Sequence, residues 1–148
     1  MGDRAEEMVL NIPSDFKYLG AVDAAVQDLA REFAFSQDAI NDVSTALIEA
    51  CSNAIEHGNK FGRDKRVNVT LKMASDSFVA TVVDQGAGFD FDSALSDDSP
   101  PDMMSERGRG LLIMKAFTDG LSFSFDGGGL TVELVKAREA SADAGAAE

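Results

Sequence analysis

Glu49 and Asn53 lie in the run Glu49-Ala-Cys-Ser-Asn53-Ala-Ile-Glu-His57-Gly58. Their spacing puts both on one face of a helix, one turn apart. An amide oxygen is a hard, neutral ligand suited to Mg²⁺, and a carboxylate can accept a proton or orient a nucleophile. Asparagine is a poor helix former that prefers caps and turns. Here it sits inside an apolar, helical pattern, so a functional role is one account of it. A solvent-facing pair on an ordinary helix is the other.

Two glycine-rich segments follow. Asp84-Gln-Gly86-Ala-Gly88-Phe-Asp90 ends a strand. Glycines there permit a tight turn and the close approach of a ligand, and the Asp84 carboxylate can accept a hydrogen bond from an adenine amino group. A plain strand-ending turn would use the same residues. A calcium loop of the EF-hand kind fits poorly, since its sixth place needs Gly and its twelfth Glu. Phe89 and Leu95 stand there. The third segment is Arg107-Gly108-Arg109-Gly110-Leu111-Leu-Ile-Met114. Free N–H groups at a helix start attract anions, and arginine adds bidentate donors, so phosphate is the natural ligand. By itself this segment is equally a capped helix with solvated arginines. His57, the only histidine, ends the first run near the entrance of such a site. No His or Cys cluster offers a metal site of its own.

The elements that must position these residues are legible in outline. Residues 8–12 read as a strand closed by Pro13, and Ser14 or Asp15 can cap a helix. Phe16, Leu19, Val22, Val26, Leu29, Ala30 and Phe33 give that helix an apolar face. A second helix starts at Ser36-Gln-Asp38, buries Ile40, Val43, Ala46, Leu47, Ala50 and Ala54, and runs to Gly58. Residues 66–73 alternate as a strand, and 78–84 form a second, largely apolar one. Residues 89–106 are acidic, contain Pro100-Pro101 and show no period, which marks a functional or mobile loop. Residues 108–117 are helix-like. Residues 121–125 and 130–135 are strands joined by a glycine-rich hairpin at 126–129. The element order predicts an α+β layer sandwich. One domain spans 1–136, and 137–148 is a flexible acidic, Ala-rich tail.

Composition narrows the functional classes. The chain has 148 residues and a formal net charge of −13. Nucleic acid and anionic membrane need basic patches, so neither is an expected partner. Cys51, the single cysteine, excludes an intrachain disulfide and reads as a small buried hydrophobe. No apolar run approaches the roughly 18 residues of a membrane span, and no signal pattern opens the chain. The expected location is the cytoplasm.

Taken in order, Glu49-x-x-x-Asn53, Asp84-x-Gly86-x-Gly88 and Gly108-x-Gly110 resemble the three nucleotide boxes of the GHKL ATPase superfamily. The strongest similarity is to the bacterial anti-sigma factor serine/threonine kinases, and it covers roughly residues 8–136. The resemblance implies the Bergerat ATP-binding fold, a two-layer sandwich of a mixed sheet with helices on one face, with ATP and Mg²⁺ as cofactors. Asn53 would hold the metal and Glu49 would act as base on the attacking hydroxyl. Asp84 would recognise adenine with Thr131 helping through water, and Gly86 and Gly88 would make room for the base. Gly108, Arg109, Gly110 and Leu111 would cradle phosphate beneath a lid at 91–107, with Arg107 and His57 also at the nucleotide. Some members carry an arginine two residues before the first glycine of the third box; here Glu106 stands there. The lid is also acidic, with Asp97, Asp98 and Asp102.

The resemblance further implies an anti-sigma factor that phosphorylates an anti-anti-sigma partner and otherwise holds a sigma factor or similar regulator, as a homodimer. An ATP-binding switch without phosphotransfer is the alternative, and an orphan histidine-kinase ATPase domain a third.

Overall fold

The structure is a computed structural model that describes residues 5–86, 109–125 and 129–138. Five strands form one sheet: β1 (Ala5–Pro13), β2 (Arg66–Ala74), β3 (Ser77–Val83), β4 (Gly120–Phe125) and β5 (Leu130–Ala137). Among the described residues three α-helices accompany it: α1 (Leu19–Glu32), α2 (Gln37–Asn53) and α3 (Arg109–Ala116).

Strand alternation sets the layers. Val67, Val69, Leu71 and Met73 of β2, Phe78, Ala80 and Val82 of β3, and Leu130, Val132 and Leu134 of β5 all point into the core. Their neighbours point to the opposite face, where Lys72 and Glu133 are exposed. The helices cover only the inner face. Val22, Val26 and Leu29 of α1, Ile40, Val43, Leu47 and Cys51 of α2, and Leu111 and Met114 of α3 complete the core. Each large side chain so buried stabilises the fold by about 1.5–3 kcal/mol. Ser36 starts α2 as expected, its Oγ accepting a hydrogen bond from Ala39 N at 3.1 Å.

The α+β two-layer fold is the expected one, but the pairing differs. The strand order is β1-β2-β3-β5-β4, and each of these neighbouring pairs is antiparallel. The resemblance implies a mixed sheet, and β3 does connect through α3 to β4 by a crossover that makes those two strands parallel. The hairpin partner β5 lies between them, with Ala80 opposite Leu134 and Leu134 opposite Leu121. The parallel pair is therefore never in contact.

Other differences are local. β1 begins at Ala5 because its first residues form an exposed edge with no core pattern to announce them. Phe16 is not on the α1 face. It opens a 3₁₀ turn, Phe16–Tyr18, capped by Asp15, and its ring is exposed. β5 pairs through Ala137, and Arg138 N donates to Asp76 O. The 89–106 loop, the lid at 91–107, residues 126–128 of the hairpin and residues 139–148 of the tail lie outside the described residues. Among the described residues no helix is long and apolar enough to cross a membrane.

Candidate nucleotide-binding site

Glu49 and Asn53 occupy the last turn of α2, both half-buried. The apolar face of α2 packs into the core, which leaves this pair facing the start of α3. There Gly110 is buried. A β-carbon on Gly110 would stand 3.1 Å from Glu49 Oε2, 3.3 Å from Asn53 Nδ2 and 3.6 Å from Asn53 Oδ1. The structure thus brings the first and third sequence segments to one place. The described start of α3 lies there, beside a carboxylate and an amide.

Past Asn53 the helix widens. Ala54–Gly58 is a π turn, closed by Asn59 N donating to Ala54 O at 2.8 Å. His57 lies in it, half-buried, with Nε2 at 3.8 Å from Glu56 Oε1. Gly58 ends the turn directly against Asp84. A β-carbon on Gly58 would stand 2.5 Å from Asp84 Cγ and overlap Oδ2. Gly86 presses on the same point, where its β-carbon would stand 2.5 Å from the Gly58 carbonyl carbon. Neither position admits a side chain.

Asp84 itself is buried, with 3% of its surface exposed. Its Oδ1 accepts hydrogen bonds from Gly86 N at 2.9 Å and Leu130 N at 3.1 Å, and its own N donates to Leu130 O at 3.1 Å. These bonds fix the carboxylate and leave Oδ2, beside Gly58, as its remaining acceptor. A fixed acceptor of this kind suits an exocyclic amino group on a flat base.

Thr131 does not join this cluster. It pairs with Val83 and Ser124, and the strand alternation puts it on the opposite face of β5 from Leu130. Leu130, through its backbone, is the β5 residue that meets Asp84. Leu111 is fully buried in the core, so only its backbone is available to a phosphate. Arg109 begins α3. Gly88, Arg107 and Gly108 lie outside the described residues.

Asn59 escaped the sequence reading. It is buried, and all its polar atoms are used. Oδ1 accepts from Gln85 N at 2.7 Å, while Nδ2 donates to Ser14 Oγ at 2.9 Å and to Arg66 O at 3.0 Å. Ser14 Oγ donates in turn to Lys65 O at 2.6 Å, and Gln85 Oε1 accepts from Arg66 N at 2.5 Å. This network ties the end of the π turn to the segment that carries Asp84 and Gly86. The only local signal was an asparagine directly after a helix-ending glycine, which reads as a cap.

A shallow groove of about 440 Å³ runs between α1 and α2 and ends at Glu49. Its floor is polar: Ser44 Oγ donates to Asp23 Oδ1, and Gln27 Nε2 donates to the same oxygen at 3.3 Å. Among the described residues no group of three or more His, Cys, Asp or Glu could hold a metal. Asn53 with phosphate oxygens nevertheless fits Mg²⁺, which keeps waters and takes few protein ligands.

The family profile described as the histidine kinase-like ATPase domain matches residues 12–136. Serine-protein kinase RsbW of Bacillus subtilis (strain 168) is 28% identical over 142 residues, covering 92% of this chain and 88% of that protein. Serine-protein kinase RsbW of Bacillus velezensis is 30% identical over 142 residues with the same coverage. Two solved structures share the fold. One is that of the RsbU and RsbW domains of Rv1364c from Mycobacterium tuberculosis, with a TM-score of 0.65, 17% identity, 90% of this chain covered and 32% of that one. The other is the SiaB–SiaC complex from Pseudomonas aeruginosa, with a TM-score of 0.65, 15% identity, 86% of this chain covered and 88% of that one.

Proposed function

The chain belongs to the histidine kinase-like ATPase domains, in the RsbW family of serine-protein kinases, and on that footing we propose that it is an ATP-dependent serine/threonine kinase. Its substrate is an anti-anti-sigma protein, and in the absence of transfer it holds a sigma factor or similar regulator. The observation that carries this reading is Gly110 packed against both Glu49 and Asn53. A pure nucleotide binder needs the amide and the glycine but has no use for the carboxylate. A homodimer belongs to the same reading and rests on the resemblance alone.

Each residue then has one task. Asp84 Oδ2 accepts a hydrogen bond from the adenine amino group. The N–H groups that open α3 bind phosphate oxygens, where the helix dipole favours negative charge. Asn53 Oδ1 would hold Mg²⁺, which when bound neutralises phosphate charge. The acceptor hydroxyl enters by the groove between α1 and α2, and Glu49 takes its proton as its oxygen bonds to the terminal phosphorus and the bond to the ADP oxygen breaks. Positioning and charge neutralisation suffice for such a transfer.

The test is label transfer from radiolabelled ATP to anti-anti-sigma proteins encoded near this gene. Labelled serine or threonine on one of them is the expected result. ATP binding with no label on any of them would favour the switch without phosphotransfer.

A further inference from the structure

We propose that the Phe16–Phe61 pair and the cations around it form a docking surface for an acidic segment of a partner protein. The two rings meet edge to face at 5.1 Å and 72°, yet they are 44% and 48% exposed. Such a pair on a surface is an unpartnered apolar ridge.

The backbone holds it there under strain. Lys60 and Phe61 have φ of 53° and 58°, the left-handed region that L side chains rarely adopt. The segment is fastened on both sides. Phe61 N donates to Ile55 O at 2.9 Å, Gly62 N to Asn59 O at 2.9 Å, and Ser14 Oγ to Lys65 O. Asp15 fixes the turn under Phe16 by accepting from Lys17 N at 3.0 Å. Both rings are thus positioned before any partner arrives, which lowers the entropy lost on binding.

The charge around the ridge runs against the rest of the molecule. Lys17, Lys60 and Arg63 are exposed and Lys65 is half-buried, against two exposed carboxylates on the same segments, Asp15 and Asp64. Among the described residues no ion pair joins Lys60, Arg63 or Lys65 to a carboxylate. The chain as a whole carries −13. A long polyanion or an anionic bilayer would meet that whole charge and be repelled. A short acidic segment meets only the local patch. Aromatic anchors inside a polar, charged rim are the anatomy of a protein interface. The ridge follows Gly58, just past the end of α2 that carries Glu49. The proposal does not depend on the kinase reading.

The test is nuclear magnetic resonance of the full chain, nitrogen-15 labelled, titrated with a synthetic peptide of alternating Glu and Leu around one Phe. A counterpart peptide carries Lys for every Glu. The expected result is a saturable shift of the Phe16, Lys60, Phe61 and Arg63 signals by the acidic peptide alone. Phe61→Gly should weaken that binding about tenfold or more. Glycine takes a positive φ without strain, so the unfolding midpoint of this variant holds or rises. No shift at these residues, equal binding of the Lys peptide, or unchanged affinity in Phe61→Gly would overturn the proposal. So would the same shifts produced by phosphatidylglycerol vesicles or a short DNA duplex.

Discussion

Gly58 and Asp84 touch across the gap between the π turn and the end of β3, so closely that the glycine α-carbon abuts the carboxylate. Two distant parts of the chain thereby set one acceptor oxygen. Gly58→Ala must push Asp84 aside, and Asp84 holds Gly86 and Leu130 through its other oxygen. We expect a stability loss of about 1–3 kcal/mol, as for overpacking at a rigid site. Calorimetry should also show ATP affinity down by about tenfold or more, one misplaced hydrogen bond being worth about 1.5 kcal/mol. Unchanged affinity would remove Asp84 from the nucleotide site.

Asp84→Asn isolates the chemistry of the acceptor. The Asn oxygen can still receive Gly86 N and Leu130 N, so the fold should survive. Its NH₂ would then replace Oδ2 and meet the adenine amino group donor to donor. ATP binding should weaken by about ten- to a hundredfold, the penalty of an unpaired buried donor being about 1–3 kcal/mol. A purine with a 6-oxo group should gain relative to ATP. Competition binding with both nucleotides reads this directly, and a preference identical to the parent's would contradict it.

Asn59→Ala removes three hydrogen bonds and leaves Gln85 N without its acceptor. Stability should fall by about 1–3 kcal/mol. Because Asn59 positions the adenine end and does not reach Glu49, KM for ATP should rise while kcat holds. A fall in kcat at constant KM would contradict that placement.

Cys51 is wholly buried, and burial pushes its thiol up from 9.0 to about 12. The native protein should resist thiol reagents at neutral pH and react fully once unfolded. Its folded pKa is the higher one, so the unfolded chain loses its proton first as pH rises. Stability is therefore unaffected below pH 9.0 and falls between pH 9.0 and about 12. Chemical denaturation across that range, with Cys51→Ala for comparison, should show the slope in the parent and less of it in the variant.

Sequence carried the elements whose signals are local. Ser36 marked the start of α2, and the alternation of 66–73 marked β2. What stayed hidden was set by contacts between distant residues. The insertion of β5 between β3 and β4 made the sheet antiparallel, and no window of sequence contains that choice. Asn59 went unread because its partners, Ser14 and Gln85, lie far off in the chain. The family resemblance pointed to Thr131 as a helper at the adenine end, but strand alternation turns on a single residue, and Leu130 holds the inward place. The π turn at 54–58 left the apolar spacing almost intact, so the helix seemed to run on unchanged to Gly58. Glu49, Asn53, Asp84, Gly86 and Gly110 were legible because glycines and polar groups at apolar places are conspicuous.

The most direct measurement is phosphate transfer by Glu49→Gln with an anti-anti-sigma acceptor, beside its ATP affinity. Glutamine keeps the shape next to Gly110 but cannot take a proton. The account predicts ATP binding close to the parent's and transfer slower by about 10²–10⁴, the usual contribution of a general base. Transfer at the parent's rate, with binding intact, would show that Glu49 is not the base and that the pair it forms with Asn53 serves nucleotide binding alone.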